Sequence, residues 1–60
     1  MGGEFLSPKE LSKYLKVSKP WPYQMARRGL LPYYKLGKVI RFRREDIEDF
    51  LERSRVERKN

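Results

Sequence analysis

Apolar residues recur at helical spacing in three stretches of the chain and alternate in a fourth. In the first stretch Leu11 and Leu15 stand four apart, and Ser7-Pro8-Lys9-Glu10 precedes them. That tetrapeptide has the make-up of a capping box with proline at the first helical position. The Ser hydroxyl and the Glu carboxylate can each accept a backbone N–H that a helix start leaves unpaired. A helix over about Pro8 to Leu15 follows, with Phe5 or Leu6 as the hydrophobic residue ahead of the cap and Lys9, Lys13 and Lys16 on the other side.

Ser18 offers a second N-cap after about three intervening residues, the spacing of a helix-turn-helix connection, and the two helices are expected to meet steeply. Pro20 and Pro22 flank Trp21, and each disfavours helical geometry in the residue before it, so the first turn is expected to be distorted. At 100° per residue Pro22, Met25 and Ala26 share one side. Tyr23, Gln24, Arg27 and Arg28 take the other, with Trp21 on the border. Gly29 is placed to end this helix in a left-handed conformation.

Tyr33 to Phe42 alternates around Gly37-Lys38 and reads as a hairpin. A two-residue loop pairs Leu36 with Val39 and splits the apolar residues between two faces. A three-residue loop, Gly37-Lys38-Val39, pairs Leu36 with Ile40 and Tyr34 with Phe42, keeps the apolar set together and leaves Lys35 and Arg41 as an outward cross-strand pair. The pattern favours the second register. Ile47, Phe50 and Leu51 then mark a third helix from Arg44 to about Arg53, its first half loaded with Glu45, Asp46, Glu48 and Asp49 where the helix dipole favours anions. The order is helix, turn, helix, two-stranded wing, helix: mainly α with a small β-hairpin, a winged helix-turn-helix over residues 1–53 and a charged tail at 54–60. Residues 1–4 are expected to fray.

Composition narrows the function. A chain of 60 residues supports one small domain with no room for a deep cleft, which favours a binding module over an enzyme. It has no Cys and no His, hence no thiolate or imidazole ligand, and no metal or cofactor is expected. No apolar run approaches a signal peptide or membrane span, so a cytoplasmic, nucleoid-associated protein is expected. The net charge is +7, but its distribution matters more. Ten Lys or Arg and not one acid lie between Leu11 and Arg44, a polarised field suited to a polyanion. The acids Glu45, Asp46, Glu48, Asp49 and Glu52 invite a metal or hydrolase reading. Pairing with Arg44 and Arg53 and stabilisation of a helix start explain them better.

Taken in order, Ser7-Pro8-Lys9-Glu10-Leu11, Leu15-Lys16-Val17-Ser18, Tyr23, Arg27-Arg28-Gly29-Leu30-Leu31-Pro32, Tyr34-Lys35-Leu36-Gly37 and Arg41-Phe42-Arg43-Arg44-Glu45-Asp46-Ile47 form a series. It resembles the excisionase-type small DNA-binding proteins of the winged-helix superfamily of mercury-resistance regulators, over about Leu6 to Leu51. Pro20-Trp21-Pro22 departs from the pattern, since that family usually has small or hydroxyl residues there and then an aliphatic one. The resemblance implies a helix after Ser18 in the major groove and a wing following the backbone into the minor groove. It also implies a role as a recombination directionality factor or small transcriptional regulator, with a recombinase, integrase or RNA polymerase as a protein partner. A monomer that associates with neighbouring copies on DNA is implied as well.

The residues suit that geometry. Gln24 can pair with adenine and Arg27 or Arg28 with guanine, because their forked donors match base-edge patterns. Lys19, Lys35, Lys38, Arg41 and Arg43 read as phosphate contacts, and Ser18 stands beside Lys19 at the helix start. Tyr23 and Tyr34 can stack on sugar or phosphate, although Tyr34 is expected to half-fill the core. Trp21 is either an exposed contact or a lid over Ala26, with the lid favoured. Three other readings stay open: the DNA-binding module of a longer transposase or regulator, a protein adaptor gripping an acidic partner, and an RNA binder.

Overall fold

The computed structural model describes residues 4–57. Its elements in chain order are β1 (Phe5–Leu6), α1 (Pro8–Leu15), α2 (Trp21–Arg27), β2 (Tyr34–Leu36), β3 (Val39–Arg43) and α3 (Arg44–Ser54). The expected fold class holds: three helices with a small β wing, the shape of a winged helix-turn-helix. Of the ends expected to fray, residues 1–4 and the tail at 54–60, those at 1–3 and 58–60 lie outside the described residues, whereas Glu4 accepts a backbone hydrogen bond from Arg44 and Ser54 ends α3.

The capping box forms as its residues require. Glu10 N–H donates to Ser7 Oγ at 3.1 Å, and Ser7 N–H donates back to Glu10 Oε1 at 2.9 Å. At the other end α1 stops on Lys16, which adopts the left-handed conformation at φ 57° and ψ 48°, and Val17 N–H donates to Ser12 carbonyl at 3.0 Å. A lysine there carries the Cβ strain that glycine avoids.

Residues 16–20 join the helices, longer than the expected three-residue link, because Ser18 is not an N-cap. Its carbonyl instead accepts Trp21 N–H at 3.2 Å and Ser12 Oγ–H at 3.1 Å, and α2 begins from Pro20 with no side-chain cap. Two prolines supply the pre-set φ and buried ring that start this helix. At its far end Gly29 takes φ 75°, and Leu30 N–H donates to Met25 carbonyl at 3.0 Å, the expected left-handed ending.

The sheet has three strands rather than two, in the order β1-β3-β2, all antiparallel. Phe5 faces Arg43 and Leu6 faces Phe42, so the residues expected merely to precede the first cap are a strand. The wing takes the two-residue register: Leu36 faces Val39, Lys35 faces Ile40 and Tyr34 faces Arg41. This overturns the three-residue loop, and with it the Lys35–Arg41 pair, whose members lie on opposite faces. Hydrophobic pattern dictates register only where a face is buried, and β2 is exposed along its whole length. Turn geometry therefore decides. Gly37 at φ 67°, followed by a residue without positive φ, has the sign pattern of a type II′ hairpin turn.

The core is Leu6, Leu11, Ala26, Leu31, Phe42 and Ile47, with Leu15, Trp21, Met25, Ile40 and Phe50 packed around it. Each fully buried aliphatic or aromatic side chain contributes about 1.5–3 kcal/mol, so a core this small depends on every member. Among the described residues no helix is long and apolar enough to cross a membrane.

Candidate nucleic-acid interface

Burial of Pro22 and Ala26 fixes the rotation of α2. Tyr23, Gln24, Arg27 and Arg28 are consequently all exposed, as their helical angles predict. None of the side chains of Gln24, Arg27 and Arg28 is held by a hydrogen bond or ion pair among the described residues. The helix therefore presents one amide and two guanidinium groups with their donors unspent. Trp21 does not join them. It is half-buried against the core, its ring edge-on to Phe50 of α3 with centroids 5.8 Å apart, so it acts as a lid over a neighbour from another helix.

On the wing Lys35 and Lys38 are exposed, with Lys38 in the turn. Arg41 is half-buried, and its guanidinium folds back so that Nη1 donates to Ile40 carbonyl at 2.7 Å. Tyr34 is not a core residue. The register turns it to the outer face of the sheet, where it is 42% exposed and meets Phe5 edge-on with centroids 5.3 Å apart.

Arg43 is placed differently from the other cations. Its Nη2 lies 3.1 Å from Asp46 Oδ1 and its Nη1 3.1 Å from Glu45 Oε1, so it bridges β3 to the first turn of α3. The hydrogen bond to Asp46, then the Coulomb attraction of that carboxylate, holds the guanidinium even more firmly in its charged form. Its Nε is buried without a partner. The acids of α3 are thus partly answered by Arg43 and by Arg44, whose Nη1 is 4.0 Å from Glu48, while Arg55 rather than Arg53 reaches Glu52. Arg44 also stacks over Tyr14 at 5.6 Å from the ring centroid.

One basic feature lies outside the set chosen from sequence except for Lys19. Lys9, Lys13, Lys16 and Lys19, with Ser12 and Val17, line an open groove of about 350 Å³ on α1 and the turn. The i, i+4, i+7 spacing of Lys9, Lys13 and Lys16 was the available signal. This row ends at Lys19, next to the N-cap of α2. Among the described residues none of the four lysines is in an ion pair.

A family model described as a helix-turn-helix domain matches residues 5–55, nearly the whole chain. The chain belongs to that family. No curated protein and no solved structure matches it. As a helix-turn-helix DNA-binding domain it has α1 and α2 as the helix pair, with the β2–β3 hairpin as the attached wing. DNA is the partner of such a domain, and Arg27, Arg28, Lys35 and Lys38 are among its exposed cations.

Proposed function

We propose that the chain is a sequence-specific double-stranded DNA-binding protein of excisionase type, acting as a recombination directionality factor or a small transcriptional regulator with no chemistry of its own. The observation that carries this reading is the acid-free stretch from Leu11 through Arg44, whose cations on α2 and at the wing tip have no carboxylate partner among the described residues. Like charges without counter-charges cost stability in an isolated domain. A polyanion relieves that cost.

In this reading α2 lies in the major groove, Gln24 reads adenine, and Arg27 and Arg28 read guanine. Tyr23 lies against the sugar-phosphate wall, and Lys19, Lys35, Lys38 and Arg41 neutralise phosphates beside it. Arg43, already bridging two carboxylates, serves chiefly to join the wing to α3. With four or five phosphates neutralised, log affinity falls with log salt at a slope between about −3.6 and −4.5. A recombinase, integrase or RNA polymerase is the protein partner to which such a bound domain would mark or bend a site.

The test is selection from a random duplex library at moderate salt, then titration of the best and a scrambled site across a salt series. A recovered motif, a large specificity ratio and a slope in that range support the proposal. Weak binding indifferent to sequence defeats it in favour of a protein partner.

A further inference from the structure

The two-residue turn places Leu36 directly opposite Val39 at the mouth of the wing. They are 57% and 45% exposed and belong neither to the core nor to the side chains packed around it. Alternation puts Tyr34, Arg41, Arg43 and Phe5 on the same outer face. The inner half of that face is partly covered by the Phe5–Tyr34 contact. Its tip is bare. Arg41 shares this face with the pair, Lys38 stands in the turn and Lys35 projects from the opposite face; none of the three has a carboxylate within 4.0 Å among the described residues, and no acid lies between Tyr33 and Arg44.

Uncovered apolar side chains at the tip of a hairpin that carries unpaired cations on both faces and in its turn suit a partner that is apolar at its centre and anionic at its edges. The minor groove of a duplex is such a partner, with a floor of stacked bases, walls of deoxyribose and a phosphate line on either rim. We infer that Leu36 is an apolar wedge that enters the minor groove and partly unstacks a base step, backed by Val39, with Lys35, Lys38 and Arg41 holding the flanking phosphates. Leucine is among the side chains that insert between base steps and kink a duplex. Val39 is stiff at χ1, so it supports Leu36 from across the strand. The inference rests on the DNA-binding reading and adds to it a means of bending DNA.

The probe is a mixed-sequence duplex carrying 2-aminopurine at a central TA step, the kind of step most easily unstacked. Wild-type protein should raise its fluorescence severalfold. The double variant Leu36→Thr, Val39→Thr puts β-branched, strand-compatible side chains at both positions but removes the apolar tip. It should bind with an unchanged salt slope and leave the fluorescence near that of free DNA. Leu36→Phe, a larger wedge, should raise the signal above wild type, and circular dichroism reports whether each variant is folded. A double variant that unstacks the probe as wild type does, or a Leu36→Phe variant with no greater signal, overturns the wedge and leaves the DNA-binding reading standing. Wild-type protein that binds no duplex removes both.

Discussion

Leu6 stands directly across the antiparallel ladder from Phe42, and both side chains are buried. This pairing ties the start of the chain to the strand that leads into α3, reinforced by Arg44 N–H donating to Glu4 carbonyl at 2.9 Å. Leu6→Ala should therefore cost about 2–5 kcal/mol, as truncation of a buried leucine does. A domain of this size has little more than that in total, so the variant should be mostly unfolded at 25 °C. Thermal melting followed by far-UV circular dichroism checks this; a melting temperature equal to wild type would mean that β1 does not pack.

The reciprocal hydrogen bonds between Ser7 and Glu10 give the next expectation. Ser7→Ala removes the side-chain acceptor for Glu10 N–H and should cost about 1 kcal/mol in urea unfolding. Glu10→Gln keeps a carbonyl oxygen able to accept Ser7 N–H, so its cost should be clearly smaller.

Lys16 offers the opposite sign. Its left-handed backbone strains any side chain with a Cβ, and Lys16→Gly should stabilise the fold by about 0.5–1 kcal/mol after the added unfolded-state entropy is subtracted. The same substitution removes one cation from the lysine row on α1. Higher stability with unchanged or weaker duplex binding is the expected pair of results, and a loss of stability would show that the lysine stem contributes packing that outweighs the strain.

These residues also show where the fold was legible from sequence. The ends of α1 and α2 that rest on local chemistry, Ser7 with Glu10 and Gly29 at positive φ, were readable because the partners lie within a few positions. So was the rotation of α2, since Pro22 and Ala26 bury the same face that the helical angles predict. The wing register was not, because the apolar pattern was asked to decide a pairing in which β2 is exposed throughout and the Gly37 turn governs. Strand β1 escaped notice as a two-residue segment whose partner lies far along the chain. Ser18 looked like a cap but contributes its carbonyl, a choice settled by the tertiary contact with Ser12. Within the site, exposure of Tyr23, Gln24, Arg27 and Arg28 followed from helix geometry, whereas the engagement of Arg43 by Asp46 and Glu45 depended on how β3 meets α3.

That engagement carries a pH expectation with a definite sign. A guanidinium whose folded-state pKa is raised contributes stability that is fully present below its unfolded value and is lost only as pH climbs through the folded value, in strong alkali. Arg43→Gln should accordingly lower stability by the same amount across the whole neutral range. In a salt series its binding slope should change by less than the roughly 0.9 that one phosphate contact contributes. A full change of that size would make Arg43 a phosphate contact as well.

Charge on α2 and charge on the wing should separate cleanly in binding experiments. Lys38 sits in the turn, where a side chain reaches phosphate but no base edge in the major groove, so Lys38→Glu should weaken binding to every duplex alike and flatten the salt slope. Arg27 is exposed on the helix opposite the buried Pro22 and Ala26, where its fork can meet a guanine. Arg27→Ala should cost about 1–3 kcal/mol on the preferred site and far less on a scrambled one, so that preference relaxes at one base position. Both positions are solvent-exposed, and neither substitution should shift the melting temperature appreciably. If Arg27→Ala instead lowered affinity equally for preferred and scrambled duplexes, the side chain would be reading the backbone, and sequence choice would have to come from Gln24, Arg28 or the deformation of the DNA itself.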